Sequence, residues 1–143
     1  MLASFSYYLV DLFGGRYSAL KVMRAKPNRP ITGEEIAVVR DALERCATTP
    51  LAQKLLSTVS SLRVVDQCQC GCPSVDFARP STEPSSPIAD GLGITSNGDQ
   101  VGVIIWGTND VITGLEIYDM GADASTFLLK DLKSIIPWEE GPA

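Results

Sequence analysis

The apolar positions change their period along the chain. Thr32 followed by Glu35 three residues later forms a capping box, with Glu34 beside it at the positive end of a helix. Ile36, Val39, Leu43 and Cys46 then recur at helical spacing, while Arg40, Asp41, Glu44 and Arg45 take the remaining positions. This spacing predicts an amphipathic helix of about 14 residues whose charges face water. Thr49-Pro50 opens a second helix, with proline at the first helical position, where its missing N–H costs nothing. Leu51, Leu55 and Val59 make its apolar stripe. A short Thr-rich link joins the two into a helical hairpin.

After Leu62 the period drops to two. Leu62 to Gln67 is β-rich, and Ser74 to Ala78 returns with Val75 and Phe77 on one side. The proline- and serine-rich stretch from Arg79 to Pro87 suits neither a ladder nor a helix. Ile88 to Thr95 and Gln100 to Gly107 flank Asn97-Gly98, a pair that tolerates left-handed backbone and predicts a hairpin. On the next strand, Val111 to Asp119, Val111, Thr113, Leu115 and Ile117 alternate with Ile112, Gly114, Glu116 and Tyr118. Such nearly two-sided apolarity predicts a central strand with a helix-covered face. Asp123 or Ser125 then caps a short helix carrying Phe127, Leu128, Leu132 and Ile135, and Pro137 stops it. The expected fold is α+β: an N-terminal helical hairpin packed on a four- or five-stranded antiparallel sheet, with a short C-terminal helix.

The length of 143 residues predicts one domain over residues 31–143, preceded by an N-terminal extension over residues 1–30. With 45% hydrophobic residues, such a domain builds its core without metal or disulfide staples. Residues 1–30 hold five basic side chains and one acidic, a charge of +4, against −9 for the rest, which sum to the net −5. Within the extension, Tyr8, Val10 and Leu12 before Gly14-Gly15, with Tyr17 and Ala19 after it, predict a hairpin. Leu2, Phe5, Leu9 and Leu12 fit helical spacing as well. The competing reading starts translation at Met23 and leaves residues 1–22 outside the native protein.

The acidic balance argues against a general nucleic-acid binder or a polybasic membrane anchor. The longest apolar runs, such as Val103 to Trp106, fall far below the ~20 residues of a membrane-spanning helix. The first ten residues lack the basic start of a signal sequence, so a cytoplasmic location is expected. Histidine is absent, which removes the Ser-His-Asp triad, the Cys-His dyad and every imidazole ligand. Gly91-Leu92-Gly93 lacks the third glycine of a dinucleotide fingerprint, and neither a phosphate loop nor a G-x-S-x-G elbow occurs. Asp76, Asp90, Glu116 and Asp119 read by default as solvated acids, and no catalytic residue is assigned.

Two features carry candidate chemistry. The first is Cys68-Gln69-Cys70-Gly71-Cys72-Pro73. In a straight strand, alternate sulfurs stand too far apart to share a metal, but Gly71 and Pro73 imply a turn that gathers them. Tetrahedral zinc takes four ligands, and Cys46 is the only further cysteine, with Asp66, Asp76 or water as other fourth ligands. The competing reading makes the cysteines small hydrophobes filling a crowded turn, with Cys46 on the core stripe of its helix. A redox role needs a thiol beside a cation, yet the flanking arginines, Arg63 and Arg79, lie five residues before and seven after the cluster. The second feature is Glu116, which interrupts an apolar strand. Trp106, Glu116 and Tyr118 form a binding patch if that face is exposed, or Trp106 and Tyr118 pair beneath the helices if it is covered.

The succession Val64-Val65, Cys68-Gln69-Cys70-Gly71-Cys72-Pro73-Ser74-Val75 and Gly114-Leu115-Glu116-Ile117-Tyr118 resembles a family of small uncharacterised bacterial proteins with a C-x-C-G-C-P-[ST]-V turn. The resemblance spans about residues 31–120 and implies a bacterial, cytoplasmic, single-domain protein. It carries no catalytic residue over. The first expected function is therefore non-catalytic contact with an unknown protein partner, as a regulator or immunity-type protein. The alternative is a thiol-centred protein that binds zinc or copper(I), or exchanges disulfides, at Cys68, Cys70 and Cys72.

Overall fold

The computed structural model describes residues 26–121 and 126–138. Helix α1 (Gly33–Arg45) starts at the capping box: the Thr32 hydroxyl accepts from the Glu35 amide at 3.1 Å, and Glu35 Oε1 accepts from the Thr32 amide at 2.9 Å. Glu35 is only 5% exposed, and Arg29 grips both its oxygens at 2.8 and 3.0 Å. That fork supplies the charge partner a buried carboxylate requires. Burial pushes the Glu35 carboxyl up, but hydrogen bonds from Arg29 and Thr32 outweigh it and hold it below its ordinary value. Val38, Val39, Ala42 and Leu43 form the buried stripe of α1.

The expected helical hairpin does not form. Helix α2 covers only Leu51–Leu55, with Pro50 as its cap, and the chain then tightens into a 3-10 segment over Leu56–Ser61. The physical reason is local. The Thr58 hydroxyl donates to the Leu55 carbonyl at 2.7 Å, and the Ser61 hydroxyl donates to the Thr58 carbonyl at 3.0 Å. Hydroxyls that occupy backbone carbonyls compete with helical hydrogen bonds, so a stripe read from Leu51, Leu55 and Val59 does not continue an α-helix.

Among the described residues the strands form one seven-stranded antiparallel sheet rather than a sheet of four or five strands. Its strands are β1 (Arg29–Pro30), β2 (Arg63–Gln67), β3 (Val75–Phe77), β4 (Ser86–Thr95), β5 (Gln100–Gly107), β6 (Ile112–Asp119) and β7 (Leu132–Pro137), in spatial order β1-β2-β3-β6-β5-β4-β7. The β4–β5 hairpin turns at Asn97-Gly98, where Gly98 has φ +84°. The expected C-terminal helix is also overturned. A 3-10 turn at Leu129–Asp131 leads into β7, which pairs with β4 from Thr95↔Leu132 to Gly91↔Pro137. Leu128, placed on the expected apolar stripe, is 53% exposed, whereas Leu129 and Ile135 are buried. Extended backbone lets Ile135 enter the core while β7 satisfies the free edge of β4, and β-branched Ile135-Ile136 suits a strand.

Alternation along the strands gives the sheet two unlike faces. Val101, Val103 and Ile105 of β5, with Leu115 and Ile117 of β6, point toward α1 and join Val39, Ala42, Leu43 and Phe77 in the main core. Gly102, Ile104 and Trp106 alternate with them and so lie on the other face, as do Gly114, Glu116 and Tyr118. Among the described residues, no helix is long and apolar enough to cross a membrane. The hairpin or helix expected around Gly14-Gly15, the alternative start at Met23, and the caps at Asp123 or Ser125 lie outside the described residues.

Glu35→Ala removes the capping carboxylate and strands the part-buried Arg29, so it should cost about 2 kcal/mol in urea unfolding. Because the folded carboxyl titrates below its ordinary value, its contribution is present above about pH 4.3 and is lost as pH falls toward the folded value. Glu35→Gln should therefore flatten the acid limb of the stability curve. An unchanged midpoint in Glu35→Ala at neutral pH contradicts the assignment.

Candidate metal centre and the groove beside it

The thiol turn is the connection between β2 and β3. The ladder pairs Gln67 with Val75, and the Cys68 amide extends it by donating to the Ser74 carbonyl at 3.0 Å. Gly71 takes φ +93°, a left-handed value that a side chain would strain, and lets the loop reverse. The sulfurs of Cys68, Cys70 and Cys72 consequently all lie within 4.8 Å of one another. Among the described residues no other group of three or more Cys, Asp or Glu side chains is gathered in this way.

Hydrogen bonds fix the turn from both sides. The Cys72 amide donates to Cys70 Sγ at 3.3 Å. The Cys72 thiol lies 3.3 Å from the Ser74 hydroxyl, which accepts from the Ile117 amide at 2.8 Å and donates to the Ile117 carbonyl at 3.2 Å. Ser74 thus uses its side chain to extend the contact between β3 and β6 past Val75, the last residue paired by backbone. This couples the turn to a central strand.

The thiols of Cys68 and Cys72 are shifted in opposite directions. Burial pushes the Cys72 thiol up, but hydrogen bonds from Cys70, from the Ser74 side chain and amide, and from Cys68 outweigh it, so Cys72 titrates below its ordinary value. Hydrogen bonding to Cys70 keeps the Cys68 proton in place against the opposing Cys70 amide, and with Cys72 pushes that thiol up to about 11. Neighbouring hydrogen bonds rather than a cation thus favour the thiolate form of Cys72 and disfavour that of Cys68. Proximity without disulfides leaves all three sulfurs available as soft ligands.

A groove of about 1260 Å³ runs from the turn along the face opposite α1, lined by Cys68, Cys72, Asp66, Asp76, Trp106 and Glu116 among others. Trp106 Nε1 donates to Glu116 Oε2 at 2.9 Å across the β5–β6 pair. Asp76 titrates above its ordinary value, first because of part-burial and then because Asp66 faces it across β2–β3. Asp66 is engaged by Lys26 at 3.4 Å and by the Gln67 amide at 2.9 Å. Tyr118 lies outside the groove lining, its ring folded over Gly102, where an added Cβ would collide with it. Part-burial, followed by the charges of Asp90 and Glu116, raises the Tyr118 hydroxyl.

The residues singled out by sequence thus separate into two sites. Cys68, Cys70 and Cys72 come together, while Cys46 is 4% exposed in the core, with its sulfur against Gly91. Neither Asp66 nor Asp76 joins the sulfur cluster. Cys68 and Cys70 are exposed, so packing does not account for them. Trp106, Glu116 and Tyr118 share the face away from α1, and Trp106 pairs with Glu116 rather than with Tyr118. Sequence reasoning missed Ser74, whose role depends on the β3–β6 register. It also missed Trp138, whose Nε1 donates to Asp90 Oδ1 at 2.8 Å, because β7 was read as a helix.

With the Cys72 thiol lowered and the Cys68 thiol raised, iodoacetamide at pH 7.5 should modify Cys72 before Cys68, despite the greater exposure of Cys68. Ser74→Ala removes the hydroxyl whose contact helps hold the Cys72 thiol below its ordinary value and should slow that modification severalfold, as read by peptide mass spectrometry. Faster labelling of Cys68 contradicts this order. Comparison with protein-family models, with curated proteins and with solved structures finds no match to the chain.

Proposed function

We propose that the protein binds a soft metal ion, zinc or copper(I), through Cys68, Cys70 and Cys72. The observation that carries this reading is the gathering of three sulfurs within 4.8 Å on an exposed turn. Metal–thiolate bonds of about 2.3 Å at tetrahedral angles place sulfurs about 3.8 Å apart, so a side-chain adjustment of about 1 Å closes the site. Exposure supplies the entry path, and the amide on Cys70 and the hydroxyl beside Cys72 supply an outer shell that orients the ligands. A reducing compartment such as the cytoplasm would keep the three thiols unoxidised.

A second reading is favoured by the pairing of Trp106 with Glu116 on the face away from α1. That face offers aromatic and acidic groups to a protein partner with a basic contact surface, in keeping with the net charge of −5. Under this reading a partner that co-purifies reproducibly is lost from Trp106→Ala and from Glu116→Lys, and is kept by a Cys68→Ser, Cys70→Ser, Cys72→Ser variant. Retention by the first two variants removes it.

For the metal reading, the full chain purified without added metal or chelator should take up one equivalent of zinc or copper(I), measured by elemental analysis after desalting. Free-thiol titration should then find three thiols masked and released by chelation. The triple Cys→Ser variant should take up none. Equal uptake by that variant, or four freely titrating thiols in the metal-treated protein, overturns the assignment.

A further inference from the structure

We infer that the thiol turn selects copper(I) over zinc(II), an inference that rests on reading the turn as a soft-metal site. The ground is the number of donors the fold delivers. The chain contains no histidine, and its fourth cysteine, Cys46, is buried in the core against Gly91 and Ile135. Among the described residues no carboxylate joins the three sulfurs. Asp66, near in sequence, is already held by Lys26 and the Gln67 amide.

Zinc in protein sites is almost always four-coordinate, so this turn leaves it one protein ligand short, with water in the open position. Copper(I) is a soft, monovalent ion suited to thiolates, and three of them complete a trigonal shell. The sulfurs already lie within 4.8 Å of one another. A triangle with 4.8 Å sides has its centre about 2.8 Å from each corner, about half an ångström beyond a metal–thiolate bond. The closure needed falls on Cys68 and Cys70, which are exposed, while Cys72 stays anchored through Ser74 to the Ile117 backbone. Binding exchanges thiol protons for metal: each S–Cu bond formed from a thiol releases one proton to solvent. The copper remains in its +1 state, so no oxidant or reductant enters the step.

The test uses the reduced full chain under anaerobic conditions and two coloured chelates, copper(I) bicinchoninate and zinc pyridylazoresorcinol. The protein should withdraw one equivalent of copper(I), bleaching the first chelate, and hold it about 1,000-fold more tightly than zinc taken from the second. A tenfold excess of zinc should not return copper to bicinchoninate. Cys46→Ala should keep full copper uptake, and Cys70→Ser, a change confined to the exposed turn, should weaken it at least tenfold. If zinc is held and copper(I) stays with its chelator, the selectivity is wrong while the soft-metal reading survives. Should neither metal leave its chelate, or Cys70→Ser bind as the parent does, both are wrong.

Discussion

The Ser74 hydroxyl is the contact on which the site depends. β3 is short, and its backbone pairing with β6 ends at Val75↔Leu115. One residue earlier, the hydroxyl takes over, bonding both the amide and the carbonyl of Ile117 and meeting the Cys72 sulfur. A side chain here does what another ladder residue would otherwise do, at a point where the chain must leave the strand to make the turn. The exposed loop thereby gains a fixed base in a central strand. Without that base, three cysteines on a glycine-containing loop would sample many separations, and gathering them would carry the entropic cost of ordering the loop.

The same sheet separates structural work from candidate chemistry. Its α1 face carries the aliphatic core, with Val39, Val64, Val101, Val103 and Ile105 fully buried. Cys46 belongs to that side, buried in the core apart from the three gathered sulfurs. The opposite face carries the indole–carboxylate pairs Trp106–Glu116 and Trp138–Asp90, and a groove that leads from the first of these to the thiol turn. Arg29 and Glu35 tie the start of α1 to β1 at the edge of the sheet. That ion pair lets a carboxylate be buried at a helix start where an uncompensated charge would be costly.

Much of this was legible where the cause is local. Thr32 and Glu35 announce a helix start through contacts three residues apart, Asn97-Gly98 announces a reversal, and Gly71 within the cysteine run announces a turn. What escaped sequence reading depends on distant partners or on competition between weak local preferences. The helical spacing of Phe127, Leu128, Leu132 and Ile135 is real, but the open edge of β4 makes that region a strand. Leu51, Leu55 and Val59 satisfy helical spacing too, yet Thr58 and Ser61 divert the carbonyls that would extend α2. Ser74 gave no signal of its own, because a serine after proline acquires its role only when β6 lies beside it. The exposure of Cys68 and Cys70 was equally invisible, since spacing alone does not tell a packed turn from an open one.

The most direct test of the central claim, that the turn rather than the core supplies the metal's ligands, is X-ray absorption at the metal edge of the loaded full chain. The account predicts a first shell of three sulfurs at about 2.3 Å, from Cys68, Cys70 and Cys72, unchanged when Cys46 is replaced by alanine. A shell made of oxygen and nitrogen alone, or one that loses sulfur in Cys46→Ala, would contradict it.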